Sequence, residues 1–314
     1  MKQNKPKIIV VLGPTACGKS DLAVELAKKF NGEVISADSR QVYRGMDLGS
    51  GKITKKEMQG IPHYLLDVAS PKQRFSAGQF QKMAQKAIKK IQAKDKISIV
   101  CGGTGFYIRA VAENLSIPEV KPDLKLRGQL EKKSAENLFG ELKRIDPERA
   151  LNIDSKNKRR LVRTLEIIYK TGQPVTPLEP KENPNETLFI GIKKPEKELK
   201  KRIALRLEKR LKQGMIKEVQ NLRKSGLSWK RLESFGLEYK WIALFLQDKI
   251  TRQEMILRLQ KDSEHFAKRQ LVFFKKYPGQ EKIRWVKNKK QAALLIEKFL
   301  KQKLSTKLFG RPSI

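Results

Sequence analysis

A glycine-rich loop near the N-terminus narrows the possible folds of this chain to a few. Residues 13–20 read GPTACGKS and match the pattern GxxxxGK[ST] without a mismatch. The run Lys7–Leu12 before the loop predicts a buried parallel strand, and Leu22, Leu26 and Phe30 after it have helical spacing. A loop between a strand and a helix points backbone N–H groups at phosphate oxygens. The motif therefore predicts an α/β protein that binds a phosphate chain.

The residues of this P-loop have distinct expected roles. Backbone amides would surround phosphate oxygens, the Lys19 side chain would reach a terminal phosphate, and the Ser20 hydroxyl would bind Mg²⁺. The motif alone does not say which phosphate compound binds. The predicted ligand-binding residues are Gly13, Pro14, Thr15, Ala16, Cys17, Gly18, Lys19 and Ser20.

Further strand and helix patterns alternate along the chain. They predict a P-loop NTPase-like parallel sheet with flanking helices, plus a helical insertion domain. A helix capped by Ser76 has an apolar face made of Phe80, Met83, Ala87, Ile88 and Ile91. The other strand candidates are Glu33–Ala37, Ile97–Cys101, Thr187–Ile192 and Ile283–Val286, and the other helix candidates are Asp21–Phe30, Glu196–Lys212, Arg252–Lys276 and a closing helix.

The predicted domain boundaries follow from a change in the sequence pattern near Pro118. Beyond it, prolines separate short charged helical patterns that carry no strand signal. We expect residues 1–118 and 185–303 to form the P-loop catalytic core and residues 119–184 to form the helical insertion domain. Residues 304–314 are expected to be a loose C-terminal tail.

The charge of the chain indicates a polyanionic partner. Lys and Arg number 69 against 33 Asp and Glu, which gives a formal net charge of +36. Such an excess favours nucleic acid or an acidic membrane surface as the partner, with a generally lysine-rich proteome as the alternative explanation. No apolar run approaches the roughly 20 residues of a membrane span, and the N-terminal apolar run is too short for a signal peptide. We therefore expect a cytoplasmic protein without a membrane partner.

Cysteine and histidine usage argues against a zinc site or a disulfide framework. The chain has Cys17 and Cys101, with no CxxC pair and no histidine cluster. Both cysteines are predicted to be reduced thiols near the phosphate site.

Asp38 is the acidic residue that follows a predicted strand. The strand Ile97–Cys101 runs into Gly102, Gly103 and Thr104, where an ATPase or a nucleotide kinase usually has an acidic residue that holds magnesium. A carboxylate at the carboxyl edge of a parallel sheet lies where ligands bind. On the residues alone, Asp38 could bind metal, cap a helix or act as a base.

Several motifs, in order along most of the chain, together resemble the tRNA dimethylallyltransferase family. They are GPTACGKS at 13–20, SADSRQVYRGMDLGSGK at 36–52, GGTGFYIRA at 102–110, DPERA at 146–150, RRLVRTLEI at 159–167, Arg206 with Gly214, FGLEYK at 235–240 and FAKRQ at 266–270. The chain departs from the family at Ile53 (proline), at Phe235 and Leu237 (isoleucine and tyrosine), and at Leu271–Phe273 (threonine–tryptophan). These departures affect the expected shape of the channel and not the reaction.

The resemblance implies a prenyl transfer to RNA. Enzymes of this family move a dimethylallyl group from its diphosphate to N6 of the adenosine just 3′ of the anticodon. The P-loop would then hold diphosphate as a leaving group, with Arg206 as a further clamp. Asp38 would accept the proton of the amine, Thr104 would position that base, and Lys19 would stabilise the departing charge.

The resemblance also implies where the tRNA anticodon stem-loop binds. We expect a monomer with Mg²⁺ as its cofactor and with tRNA and dimethylallyl diphosphate as its partners. The expected tRNA contacts are Asp38, Ser39, Arg40, Gln41, Thr104, Arg127, Arg159, Arg160, Leu161, Val162 and Arg163.

Three other functions remain open on the sequence. An adenylate dimethylallyltransferase would share the P-loop and the Asp38 motif but would not need a basic insertion. A small-molecule P-loop kinase would need the missing acidic strand end. A non-enzymatic RNA-binding protein would explain the charge but not a P-loop that faces Asp38.

Overall fold

The computed structural model describes residues 5–176, 178–277 and 279–301, which fall into two units. Unit 1 combines the residues up to Glu113 with those from Glu182 onward, and unit 2 is Asn114–Lys181. The predicted tail, 304–314, lies outside the described residues. None of the helices within the described ranges has both the length and the apolar character that crossing a membrane requires.

Unit 1 is built on one sheet in which every strand pairing is parallel. The strand order is β3-β2-β4-β1-β5-β6, so β1 lies between β4 and β5. This arrangement confirms the predicted α/β fold class. The strands are β1 (Lys7–Leu12), β2 (Gly32–Ser36), β3 (His63–Tyr64), β4 (Ile97–Gly102), β5 (Glu186–Ile192) and β6 (Ile283–Val286).

Helices cover both faces of this sheet. Side chains alternate along β1, so that Ile8, Val10 and Leu12 enter one apolar core while Ile9 and Val11 enter the other. Before unit 2 the helices are α1 (Lys19–Lys29), α2 (Lys55–Met58), α3 (Ala77–Gln92) and α4 (Gly105–Ala112). The capping box of Ser76 with Gln79 begins α3, as the sequence predicts.

Unit 2 is a small helical domain with its own core. Leu138, Leu142, Leu161 and Leu165 are fully buried in that core. Near its two ends Leu115 pairs with Pro180, and the unit begins before the predicted boundary at Pro118 and ends before residue 184. The helices are α5 (Leu124–Leu130), α6 (Ala135–Ile145), α7 (Pro147–Leu151) and α8 (Lys158–Thr171).

Two residues of unit 2 that the sequence assigns to tRNA contact have buried side chains. Leu161 and Val162 are 0% and 5% exposed, and both side chains pack in the core of unit 2. Helical periodicity places them on the same inward face of α8 as Leu165. The sequence motif RRLVRTLEI therefore mixes surface arginines with core residues.

The second half of unit 1 adds a third apolar core made largely of helices. That core joins Val42 and Met46, which follow β2, to residues more than 150 positions later, such as Val219, Ile242 and Met255. The sequence predicts the long helices here but not the three short ones between them. The helices are α9 (Glu196–Lys212), α10 (Met215–Lys224), α11 (Trp229–Ser234), α12 (Leu237–Phe245), α13 (Arg252–Lys275) and α14 (Lys289–Lys301).

Glu33 forms a buried ionic cluster on β2, away from the carboxyl edge of the sheet. Its side chain is 1% exposed and binds Lys94 at 3.0 Å and Lys96 at 2.9 Å, and it accepts a 2.6 Å hydrogen bond from the Tyr64 hydroxyl. Burial alone would raise the pKa of Glu33. The hydrogen bonds from Tyr64, Lys96 and Lys94 outweigh burial and lower the pKa from 4.5 to about 2.

Glu33→Gln should lower the free energy of unfolding by about 1–2 kcal/mol at pH 7, a range that allows for solvent screening of the partly exposed lysines. Because the folded-state pKa lies below the unfolded value, this stabilisation is present above about pH 4.5 and is lost as the pH falls towards 2. The difference between wild type and variant, measured by urea unfolding, should therefore shrink at pH 3. Equal unfolding free energies at pH 7 would show that the cluster contributes nothing.

Candidate active site

The P-loop connects β1 to α1 at the carboxyl edge of the sheet. A side chain at Gly13, whose φ is +151°, would place its Cβ 2.6 Å from the carbonyl oxygen of Ile192. Gly18, with φ +94°, is the N-cap residue of α1 and provides no side-chain cap. The first-turn amides of α1 have no acceptor within the helix, so they remain available to an anion. The loop therefore has the backbone geometry of a phosphate site.

Lys19 is held within the P-loop itself. Its amino group donates a 2.6 Å hydrogen bond to the Pro14 carbonyl oxygen and lies 3.9 Å from the Cys17 sulfur. Cys17 and Cys101 are both buried and free, and burial raises the pKa of Cys101 to about 12. Cys101 is therefore an unreactive thiol, Cys17 is a buried thiol next to Lys19, and Lys19 is the P-loop side chain that carries positive charge.

Asp38 follows β2 and is fixed by the turn that it begins. Its Oδ1 atom accepts hydrogen bonds from the amides of Arg40 at 2.8 Å and Gln41 at 3.3 Å. The Gln41 side chain in turn accepts from the Ser36 hydroxyl at 3.1 Å and donates to the Gly51 carbonyl at 3.2 Å. Both hydrogen bonds to Asp38 use Oδ1. The Oδ2 atom of this half-buried carboxylate is therefore available to accept a proton from a substrate.

Thr104 holds the end of β4 against the end of β2. Its hydroxyl oxygen accepts the Ser39 amide at 3.0 Å, and its own amide donates to the Ala37 carbonyl at 3.2 Å. The two backbones approach so closely that a Cβ on Gly102 would overlap the Ala37 carbonyl. The predicted pair of Asp38 and Thr104 therefore sits on two strand ends that are rigidly joined.

Arg206 on α9 is a cation that forms no ion pair with any residue in the described ranges. The carboxylates of Glu238, Asp21 and Glu57 attract it only from a longer distance. The surrounding protein removes water from the Arg206 guanidinium, and this desolvation lowers its pKa. Repulsion from Arg210 lowers the pKa further. A Cβ on Gly51 would lie 2.7 Å from its Nη2 atom. Arg210, one turn later, binds Glu238 at 3.0 Å. Arg206 is thus held near the 47–52 loop and available to an anion.

Arg40 is anchored to Phe235, one of the positions where the sequence departs from the family pattern. Arg40 Nε donates to the Phe235 carbonyl at 2.8 Å, and its guanidinium lies 5.8 Å from the Phe235 ring centroid. Arg231 stacks on the same ring at 4.3 Å, and Tyr43 meets it edge-on at 5.2 Å. The aromatic residue therefore fills this place as part of a cation–aromatic stack.

Two of the arginines expected to bind tRNA already have an internal partner. Arg127 and Arg163 both bind Glu166, at 2.6 Å and 2.5 Å, and the Glu166 side chain is 0% exposed. Hydrogen bonds from Arg127, the Asp123 amide and Arg163 outweigh burial and lower the pKa of Glu166. Arg159 and Arg160 are exposed instead, and neither pairs with a described carboxylate. Of the four arginines expected to bind tRNA in unit 2, Arg159 and Arg160 are thus the two that are available to RNA phosphates.

Two residues that support the site were not assigned from the sequence. Glu218 on α10 accepts hydrogen bonds from the amides of Asp47, Leu48 and Gly49, and so holds the loop that leads to Gly51. Gln270 on α13 contacts the P-loop. Both come from helices far along the chain, and only the position of Gln270 at the end of FAKRQ offered a signal.

The chain is similar to known enzymes along most of its length. The model of the family described as IPP transferase matches residues 41–277. The tRNA dimethylallyltransferase of Thermomicrobium roseum is 39% identical over 281 residues, which cover 88% of this chain and 85% of that protein. The tRNA dimethylallyltransferase of Alkaliphilus oremlandii is 36% identical over 288 residues, which cover 90% of this chain and 91% of that protein.

Solved structures of tRNA-modifying enzymes are also similar to this chain. The full-length tRNA isopentenylpyrophosphate transferase of Bacillus halodurans matches with a TM-score of 0.70 and 34% identity, over 94% of this chain and 96% of that chain. A eukaryotic dimethylallyltransferase that acts on tRNA matches with a TM-score of 0.79 and 26% identity, over 95% of this chain and 81% of that chain.

Proposed function

This chain belongs to the IPP transferase family, and on that premise we propose that it transfers a dimethylallyl group to tRNA. The donor is dimethylallyl diphosphate, the acceptor is N6 of the adenosine 3′ of the anticodon, and diphosphate is released. The observation that carries the proposal is the junction of three strand ends. The P-loop follows β1, Asp38 follows β2, and Thr104 follows β4, with Ser39 hydrogen-bonded to Thr104.

The reaction exchanges one bond for another at a single carbon. The N6 lone pair forms the new N–C bond as the C–O bond to diphosphate breaks, and the electron pair of that bond leaves with diphosphate. An exocyclic amine is a poor nucleophile, so a base that takes its proton assists the attack. Asp38 is the proposed base, with Oδ2 as the accepting atom because Oδ1 is already bonded to the Arg40 and Gln41 amides.

The adenine has to leave the stacked anticodon loop to reach this base. Asp38, Ser39, Arg40, Gln41 and Thr104 are the residues of unit 1 that we propose to contact it. Arg40 is held by the Phe235 carbonyl at 2.8 Å, and Ser39 is held by the Thr104 hydroxyl at 3.0 Å. These residues are therefore fixed before RNA binds, which reduces the entropy lost on binding.

The leaving group needs positive charge as it departs. The proposed diphosphate ligands are the P-loop amides, Lys19 and Arg206. Lys19 can exchange its bond to the Pro14 carbonyl for a phosphate oxygen, and among the described residues Arg206 has no ion-pair partner that a diphosphate would have to displace. These donors stabilise charge that develops only as the C–O bond breaks, which is where electrostatic catalysis acts.

The residues present fit a Mg²⁺ ion carried in by the diphosphate. Ser20 has an exposed hydroxyl at the start of α1, and the described residues contain no cluster of three or more acidic, histidine or cysteine side chains for a metal. Magnesium typically keeps several waters and binds substrate phosphates with few protein ligands. Ser20 would hold the ion, which would neutralise part of the diphosphate charge when bound.

A small-molecule kinase is the alternative from another reaction class. Within the described chain, β4 ends in Gly102 and runs into Gly103 and Thr104, so it supplies no acidic residue at its end. The relatives compared above are named for prenyl transfer to tRNA. These names also favour tRNA, and not the free nucleotide of an adenylate dimethylallyltransferase, as the acceptor in our proposal. A monomeric state and a cytoplasmic location stay predictions.

The test is a turnover assay without nucleoside triphosphates. Purified protein, tRNA, dimethylallyl diphosphate and Mg²⁺ are incubated after apyrase treatment, with AMP replacing tRNA in a parallel reaction. We expect prenylated tRNA and diphosphate in equal amounts, and no product from AMP. Product from AMP alone would support the adenylate enzyme. Product that requires ATP, with matching release of phosphate, would revive the kinase.

Arg206→Ala should raise the dissociation constant of dimethylallyl diphosphate roughly 10–100-fold, because a charge-assisted hydrogen bond to an anion is lost. Calorimetry without tRNA measures this directly. Lys209→Ala removes an exposed cation from the same helix and is the matched control. If both variants bind the diphosphate as tightly as the wild type does, Arg206 is a surface charge and not a clamp.

Replacing Arg159 and Arg160 together with Ala should flatten the salt dependence of tRNA binding by about one to two units of slope, because fewer phosphate counterions are released. The affinity for dimethylallyl diphosphate should not change. A double variant of the exposed Arg284 and Lys287 removes the same charge from β6 and its flank. An equal loss of slope in that control would mean that net charge, and not this helix, sets the RNA affinity.

A further inference from the structure

Gln270 joins the two halves of the proposed catalytic site. Its side-chain oxygen accepts the Thr15 amide at 2.7 Å, and its side-chain nitrogen donates to the Gly103 carbonyl at 2.9 Å. Thr15 belongs to the P-loop, and Gly103 precedes Thr104. One amide group therefore bridges the loop that would hold diphosphate and the turn that would position the base.

The bridge is buried and geometrically specified. Gln270 is only 7% exposed, so its two hydrogen bonds are shielded from water, and a buried amide that lost them would leave polar groups unsatisfied. A Cβ at Gly103 would overlap the Gln270 side-chain nitrogen, although Gly103 itself does not have a positive φ. Glycine at this position therefore makes room for the Gln270 amide and is not needed for backbone freedom.

The bridge is also mounted on a rigid element. Gln270 lies on the 24-residue helix α13, where Ala267 packs into the core that contains Cys17 and Phe274 packs into the core on the other face of the sheet. Three residues after Gln270, Phe273 fills the space where a Cβ on Gly105 would lie. The helix thus packs into both apolar cores that flank the sheet, and this packing holds Gln270 in place.

We propose that Gln270 is a positioning residue, which keeps the diphosphate-binding P-loop and the Thr104 turn at the separation that transfer requires. The inference rests on the proposed function. It gives Gln270 no contact with substrate: Gln270 acts through the Thr15 amide and the Gly103 carbonyl. Because small displacements of reacting groups strongly reduce rates, loss of the bridge should affect the chemical step more than tRNA binding.

A double-mutant cycle on Gln270 and Gly103 tests this contact. Gln270→Ala removes both hydrogen bonds, and Gly103→Ala displaces the Gln270 amide from the other side. Each single variant should lower kcat roughly 10–100-fold, with the KM for tRNA within about threefold of wild type. In the double variant the methyl group introduced at position 103 occupies space vacated by the Gln270 side chain. The two effects should therefore not multiply, and kcat should resemble that of Gln270→Ala alone.

Two controls separate positioning from folding. Gln260→Ala changes the same residue type on the same helix, where the side chain donates to Glu264 at 3.1 Å, and it should leave kcat unchanged. Each kcat is taken per folded molecule, with the folded fraction measured by circular dichroism. A wild-type kcat in Gln270→Ala, or losses that multiply in the double variant, would overturn the inference.

The affinity for inorganic diphosphate tests the role of Gln270 separately from the proposed transfer reaction. Calorimetry without RNA should show roughly 3–10-fold weaker binding in Gln270→Ala and in Gly103→Ala, because the P-loop loses one of its supports. If wild-type protein transfers no prenyl group, the proposed function fails, but this series still reports whether Gln270 positions the P-loop. Normal transfer by wild type with unchanged diphosphate affinity and kcat in the variants would overturn the positioning role alone.

Discussion

Asp38→Asn should lower turnover roughly 10²–10⁴-fold, the range expected for loss of a general base. The substitution is well matched to the structure. An asparagine oxygen can still accept the amide hydrogens that Oδ1 accepts from Arg40 and Gln41, so the turn after β2 should survive. What disappears is the second carboxylate oxygen, which is the proposed proton acceptor. Single-turnover measurement with tRNA bound isolates this step from product release.

The binding of both substrates should remain close to normal in this variant. We expect tRNA affinity to change by no more than a few-fold and dimethylallyl diphosphate affinity not to change. Asp262→Asn is the control, because Asp262 also accepts a hydrogen bond, from the Trp241 indole at 2.8 Å, but lies on α13 eight positions before Gln270. Near-normal turnover in Asp38→Asn would remove Asp38 from the chemistry. A parallel loss of tRNA affinity would assign it to binding instead.

The catalytic half of the fold was predictable because its signals are local. A β-branched run, a glycine-rich turn and an amphipathic helix follow one another within residues 7–29, and each has one dominant interpretation. The expected membership of the family is confirmed by the family model and by relatives at 36–39% identity. Asp38 was predicted to lie at the ligand edge of the sheet, because ligands bind at the carboxyl ends of parallel strands, and the family resemblance added Thr104 beside it.

The supporting contacts were not predictable, because they join distant parts of the chain. The Glu218 carboxylate binds the amide of Leu48, 170 residues away, and Gln270 binds the Thr15 amide, 255 residues away. Nothing in local spacing distinguishes a glutamine that bridges two loops from one on a helix surface. The same is true of α8 in unit 2, where the run RRLVR reads as a basic face although Leu161 and Val162 are buried.

Unit 2 depends on a buried carboxylate between two arginines. Glu166 on α8 binds Arg127 on α5 and Arg163 on its own helix, and it also accepts the Asp123 amide at 2.7 Å. Arg163 reaches on to the Val120 carbonyl at 3.0 Å. This network fastens the start of the unit to its longest helix. Arg127 therefore has a structural role that the resemblance to tRNA-binding enzymes did not indicate.

Glu166→Gln should lower the free energy of unfolding of unit 2 by about 2–4 kcal/mol at pH 7, because two guanidinium groups lose their buried counterion. The Glu166 pKa is lowered in the fold, so this stabilisation is present above the unfolded pKa near 4.5 and is lost as the pH falls through the folded value. Hydrogen exchange of residues 114–181 measures the effect directly, with unit 1 amides as the internal reference. The variant should also bind tRNA more weakly, while dimethylallyl diphosphate binding is retained.

Two substitutions decide whether these arginines support the fold or touch RNA. Arg127→Gln breaks the 2.6 Å ion pair from the other side and should speed hydrogen exchange in residues 114–181 as Glu166→Gln does. Arg159→Gln, on the exposed face of α8, should change stability by less than about 0.5 kcal/mol and still weaken tRNA binding. Arg127→Gln with unchanged exchange but weaker tRNA binding would assign Arg127 to the RNA, because the loss of affinity could not then come from unfolding.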